Sequence, residues 1–172
     1  LSDISDESLV RHITLVEHQS YIFKGTVSYN LRFGCPGASE AAMWDVLRKT
    51  NLHEFVASSG GLDMMLREGG SNLSGGQRQR LAIARALLHD AIIYLFDEAT
   101  SNIDTKSEEC VVNTIRALTD CGKTVVLITH RMALASTSPR ILLMKDGALA
   151  GAGTHDKLYH KNRYYSRLFD AQ

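Results

Sequence analysis

The sequence predicts an α/β fold, a mostly parallel sheet interrupted by a helical region. Three observations predict it. Ile92-Ile93-Tyr94-Leu95-Phe96 and Thr124-Val125-Val126-Leu127-Ile128-Thr129 are short runs apolar on both faces, as strands buried inside a parallel sheet must be. Between them Val111, Val112, Ile115 and Leu118 recur at helical spacing, which makes strand, helix, strand a right-handed crossover unit. The stretch upstream, from Ser39 to Leu88, carries helical stripes separated by glycine breakers.

Taken in order, Leu1 to Glu7 read like mid-domain sequence. Ile13-Thr14-Leu15-Val16 is a buried strand that feeds the polar loop Glu17-His18-Gln19-Ser20. Ala42, Met43, Val46 and Leu47 form one helical stripe, and Leu52, Phe55 and Val56 a second. Gly60-Gly61 and Gly69-Gly70 break the chain before Leu73-Ser74-Gly75-Gly76-Gln77 opens a helix with the inward stripe Leu81, Ile83, Ala84, Leu87 and Leu88. Gly122 closes the crossover helix. Lys145-Asp146-Gly147 joins two apolar runs as a hairpin turn, and a helical tail is expected over Tyr159 to Phe169.

Composition bounds the function. A chain of 172 residues with 44% hydrophobic and 22% charged residues has enough apolar side chains for its own core, and its longest apolar run, Ala91 to Phe96, is too short to cross a bilayer. Nineteen basic and nineteen acidic residues are scattered evenly, leaving no electrostatic footprint for nucleic acid. The cysteines, Cys35, Cys110 and Cys121, form no C-x-x-C pair and read as reduced structural thiols.

The residues that carry chemistry collect after the predicted strands. Gln19, the pair Asp97-Glu98, and His130 each follow a different strand at its carboxyl end, where open α/β sheets bind ligands. By itself an acidic pair after a strand is also an ordinary turn. Ser74-x-x-Gln77 is a capping-box pattern, and the same exposed amides, hydroxyl and glycines suit a phosphate. The two uses are compatible.

The order Gln19, Leu73-Ser74-Gly75-Gly76-Gln77, the strand ending in Asp97-Glu98, Ser101-Asn102-Ile103-Asp104 and His130 resembles the ATP-binding cassette of ABC transporters. The resemblance covers nearly the whole chain and is most specific from Leu73 to Leu88. It implies a P-loop nucleotide-hydrolase-like core with an inserted helical subdomain over about residues 20–88, the second half of the α/β core over about 89–172, and an N-terminal part lying outside this chain. It implies the Q-loop at Gln19, the signature motif at Leu73, Ser74, Gly75, Gly76 and Gln77, the Walker B strand at Ile93 to Asp97 with Glu98 after it, the D-loop acid Asp104 and the switch histidine His130. Phe23 to Leu31 and Gly153-Thr154-His155 look like segments of the exporter branch. Gly69, Ala150, Ala152 and the pair Asn102-Ile103 depart from the family's usual residues.

What the resemblance implies about mechanism follows from those positions. Asp97 and Gln19 would attend Mg2+, Glu98 would act as general base on the water attacking ATP, and His130 would hydrogen-bond the γ-phosphate. The signature residues would cap the nucleotide of a second ATPase subunit in a head-to-tail dimer, with Asp104 at the dimer contact. Transmembrane domains would be the other partner, on the cytoplasmic face of the membrane.

No G-x-x-x-x-G-K-[ST] phosphate loop is found, and in the family it precedes the Q-loop. Gly122-Lys123-Thr124 is not one, because Ala117 stands at the required glycine and a strand follows. The chain alone is therefore expected to be inactive. Two other readings stay open: a soluble ABC ATPase acting on nucleic acid, against which the balanced charge and exporter-like segments weigh, and a half-cassette that lends its signature motif to a complete partner.

Overall fold

The computed structural model describes residues 4–100 and 103–172, so Ser101 and Asn102 of the expected D-loop lie outside the described residues. The chain divides into two compact units, Leu1–Ile128 and Thr129–Gln172.

The first unit is built on a parallel sheet of β1 (Ile13–Glu17), β4 (Ile93–Asp97) and β5 (Thr124–Ile128), in the order β1-β4-β5. α1 (Asp6–His12) leads into it, with Ser5 as N-cap, acidic residues in its first turn and basic ones in its last. α1 carries no buried residue, which is why no apolar stripe announced it.

Between β1 and β4 lies the helical region. β2 (Gly25–Thr26) pairs antiparallel with β3 (Met65–Leu66), and around them stand α2 (Val27–Arg32), α3 (Glu40–Lys49), α4 (His53–Ser58) and the long α5 (Gly75–His89). α2 begins at Thr26, whose hydroxyl accepts the Tyr29 N–H at 3.0 Å. Asn30 is buried and satisfies itself locally, accepting the Phe23 N–H at 2.9 Å and donating to the carbonyls of Phe23 and Thr26 at 2.8 and 3.1 Å. That bonding explains a threonine and an asparagine four residues apart in this segment.

Two hydrophobic clusters meet along α5. Leu81 and Ala84 face a cluster with Ile22, Leu31, Met43, Leu47 and Leu66, whereas Ile83 and Ala86 face one with Val16, Tyr94, Phe96 and Val111. α6 (Thr105–Asp120) completes the crossover and covers the same side of the sheet as α5. It ends at Cys121, with Gly122 in the left-handed region and Lys123 paired to Asp90 at 2.7 Å. Gly122-Lys123-Thr124 is thus a helix end leading into β5. On the other side of the sheet Leu15 and Val126 flank Leu95 in register and are 53% and 43% exposed. Burial pushes the Tyr94 hydroxyl up to about 12, the charge of Asp90 adding to it.

The second unit comprises α7 (Met132–Ala135), the antiparallel pair β6 (Ile141–Lys145) and β7 (Ala148–Gly153), α8 (His155–Lys161) and α9 (Arg163–Asp170). The hairpin turns at Asp146 and Gly147, both at positive φ, as a tight two-residue connection requires. The expected tail over Tyr159 to Phe169 is two helices, α8 starting earlier at His155. Asn162 separates them and caps α9 by accepting the N–H groups of Tyr164 and Tyr165. Met132, Leu143, Leu158 and Tyr165 form this unit's core. Among the described residues no helix is long and apolar enough to cross a membrane.

Candidate functional site

β1, β4 and β5 end on one edge of the sheet, with Glu17 opposite Asp97 and Asp97 opposite Ile128. Asp97 is the last residue of β4 and is exposed, and Gln19 is exposed two residues past β1. Glu98 follows at φ 49°, in the left-handed region, where a residue with a β-carbon costs of the order of 1 kcal/mol or more. The Glu98 N–H donates to the Ile128 carbonyl at 3.0 Å and fixes that turn between two strands. The backbone that carries this carboxylate is thereby held in a sharp bend at the end of a central strand; Asn51, Asp90 and Asp146 share its left-handed conformation elsewhere in the chain. His130 follows β5 by two residues and is exposed within the second unit.

The tip of α5 realises the capping box in full. The Ser74 hydroxyl accepts the Gln77 N–H at 3.1 Å, and the Gln77 side chain accepts the Ser74 N–H at 2.8 Å. Leu73 is buried and anchors the turn, while Ser74 and Gly75 are exposed. Arg78 donates to the Leu73 carbonyl at 2.8 Å and steadies the approach to the helix. The first amides of α5 have no intrahelical acceptors, so the tip remains suited to an anion.

Gly76 is buried against the start of α6. A β-carbon there would overlap the Ser107 hydroxyl and come within 2.7 Å of Asp104 Oδ2. Asp104 is the N-cap of α6, accepting the Ser107 N–H at 2.9 Å through Oδ1 and the Ser107 hydroxyl at 2.7 Å through Oδ2. Arg80 donates to the same hydroxyl at 2.7 Å. These bonds, the Ser107 hydroxyl foremost, hold the Asp104 carboxyl below its usual range. The expected signature glycine and D-loop acid therefore meet within one chain.

α5 also grips the loop that carries Gln19. Gln79, itself buried, donates to the Glu17 carbonyl at 3.3 Å on one side of Gln19, and Arg85 donates to the Tyr21 carbonyl at 3.0 Å on the other. The Tyr21 hydroxyl donates to the Glu68 carboxylate, a bond that raises the tyrosine's pKa. Burial pulls the Arg85 pKa down. A cleft of about 530 Å³ opens beside the loop, lined by Gln19, Gly75, Arg78, Gln79 and Ile103 among others.

Arg78, Gln79, Arg80, Arg85 and Ser107 escaped the sequence reading. One signal was available: Gln79 shares the inward stripe of Ile83 and Ala86, and a polar group on an apolar stripe needs a buried partner. Among the described residues no group of three or more His, Cys, Asp or Glu side chains is placed to hold a metal ion.

Comparison with known proteins identifies the family. The family model described as "ABC transporter" matches residues 1–101, more than half of the chain. An "Uncharacterized ABC transporter ATP-binding protein" of Haemophilus influenzae is 44% identical over 99% of this chain and 30% of its own length. The "Lactococcin-G-processing and transport ATP-binding protein LagD" of Lactococcus lactis is 40% identical over 98% of this chain and 24% of its own length. The "ATP-dependent lipid A-core flippase" of Neisseria gonorrhoeae is 40% identical over 98% of this chain and 27% of its own. Among solved structures, "Structure of a bacterial Atm1-family ABC exporter with ATP bound" superposes with a TM-score of 0.93 at 34% identity, covering 100% of this chain and 30% of that one. This chain thus spans at most 30% of the length of these relatives. Its motifs, its fold and these matches agree: the chain belongs to the ABC transporter family.

Proposed function

We propose that this chain supplies ATP-hydrolysing machinery to an ABC exporter, as one segment of a longer polypeptide that includes or joins transmembrane domains at the cytoplasmic face of a membrane. The observation that carries the reading is Glu98: an acid in a strained turn at the end of β4, directly after Asp97 and pinned to Ile128. Glu98 takes the proton of the water that attacks the γ-phosphate, and its fixed backbone sets where that side chain departs from the strand end. Gln19, bracketed by Gln79 and Arg85, orients the same water. His130 donates a hydrogen bond to the γ-phosphate.

Mg2+ asks for few protein ligands, commonly one or two carboxylates beside phosphate oxygens and water. Asp97, a hard and exposed oxygen donor at the strand end, fits that demand although among the described residues there is no larger cluster, and Gln19 would be the second residue to attend the ion. When bound, the ion neutralises charge on the phosphates.

Ser74, Gly75 and Gly76 face the nucleotide of a second ATPase subunit, with Asp104 at that dimer contact. The exposed Ser74 and Gly75 at the helix tip support this assignment. Gly122-Lys123-Thr124 ends α6 and begins β5, so the loop cradling the phosphates comes from elsewhere in the polypeptide, and the 172-residue chain alone does not turn over ATP.

The test uses the intact polypeptide. Glu98→Gln should abolish steady-state hydrolysis and preserve ATP-driven dimerisation, whereas Ser74→Arg should abolish hydrolysis and leave nucleotide binding to its own subunit intact. Full turnover in Glu98→Gln, or loss of binding in cis in Ser74→Arg, would overturn the assignment.

A further inference from the structure

α7 begins beside His130 without a capping side chain of its own. Its N-cap residue, Arg131, makes no side-chain capping bond, yet a helix start leaves N–H groups that need an acceptor. Gln172 supplies one from forty residues away. Its Oε1 accepts the Met132 N–H at 2.9 Å, and its Nε2 donates to the His130 carbonyl at 2.7 Å. A single planar amide therefore holds the backbone on both sides of Arg131, and the Arg131 N–H is taken by the Thr129 hydroxyl at 3.0 Å.

Gln172 is delivered to this place by packed structure. It follows α9, whose Tyr165 is fully buried in the same core as Met132, and its own N–H donates to the Phe169 carbonyl at 3.3 Å. A glutamine with free rotamers would lose entropy on making two such bonds. Here the helix end has already placed its backbone. Capping alone would need only the oxygen. The nitrogen, aimed at the carbonyl of an exposed histidine, does something else: it fixes the peptide plane after His130 and with it the direction of the Cα–Cβ bond.

We infer that Gln172 is a positioning residue for His130, holding the peptide of that histidine so that the imidazole meets the γ-phosphate in one orientation. The inference rests on the role proposed above for His130. It assigns the two atoms of one amide to separable tasks: Oε1 caps α7 and Nε2 aims the histidine.

Glutamate at 172 separates them, because a carboxylate still accepts the Met132 N–H but has no proton to give the His130 carbonyl. In the intact polypeptide, ATPase kinetics and hydrogen exchange of the backbone around Met132 are measured for Gln172→Ala and Gln172→Glu. Both variants should lose about three- to tenfold in kcat, the worth of one hydrogen bond, with KM for ATP unchanged. Exchange at Met132 should quicken in Gln172→Ala and stay slow in Gln172→Glu. With His130→Ala already present, Gln172→Ala should cost nothing further.

Wild-type kcat in Gln172→Glu would reduce Gln172 to a helix cap and overturn the inference, as would wild-type exchange together with wild-type kcat in Gln172→Ala. Turnover persisting in Glu98→Gln would instead bring down the hydrolysis reading and the catalytic task given to Gln172. That failure is distinguishable, since the exchange difference at Met132 does not depend on hydrolysis.

Discussion

Gly76 of α5 lies directly under the Ser107 hydroxyl of α6, in a space that admits no side chain. The same hydroxyl is engaged by Asp104 and Arg80, so it cannot turn away without losing both.

Gly76→Ala pits two effects against each other. Alanine gains about 1 kcal/mol over glycine inside a helix. Overpacking costs about 1–3 kcal/mol, and displacing Ser107 forfeits its hydrogen bonds as well. The clash should win, with a net loss of about 1–2 kcal/mol in denaturant unfolding. Adding Ser107→Gly should return part of that loss, a coupling that a double-mutant cycle reads directly. Strict additivity would show that the two residues do not share this space.

Asp104 makes the stability of α6 depend on pH in one direction. Its folded carboxyl titrates below the ordinary carboxylate range, so folding favours the charged form. The stabilisation is fully present above that range and is lost as pH falls through the lowered folded value. Thermal unfolding of the wild type and Asp104→Asn should therefore differ at neutral pH and converge in strong acid. A gap that is the same at every pH would rule out the carboxylate as its source.

Arg85 should matter to the loop holding Gln19 more than to the sheet. Removing its bond to the Tyr21 carbonyl by Arg85→Ala should cost about 1–2 kcal/mol and quicken hydrogen exchange from Gln19 to Ile22 while β1 stays protected. Unchanged exchange in that loop would mean that the bond does not restrain it.

The parts of the fold that were legible share one property: their side chains report their surroundings by themselves. Ile93 to Phe96 read as a central strand because the run is apolar on both faces; Tyr94 and Phe96 are buried on one face, while the other, with Leu15 and Val126 beside Leu95, is left partly exposed. Asp146-Gly147 read as a hairpin because few residues adopt two successive positive φ angles. α1 was invisible for the opposite reason, burying nothing, and Asn162 hid the break between α8 and α9 because its capping role depends on where α9 begins. At the site, Ser74 with Gln77 announced a helix start that the structure confirms bond for bond. The left-handed turn at Glu98 and the contacts of Arg80 with Ser107 and Gln172 with His130 were not legible. They join residues whose separation in sequence carries no period, and only the folded chain brings them together.

α5 is a single rod of 15 residues, about 22 Å long, with Ile83 in one hydrophobic cluster and its neighbour Ala84 in the other. Close-packed interiors have low compressibility, so neither grip yields much. One rigid helix thus joins Ser74 at its tip to the Gln19 loop, through Gln79 and Arg85, and to the neck of α6, through Arg80. Between that tip and those contacts the helix has no kink or break that could act as a hinge.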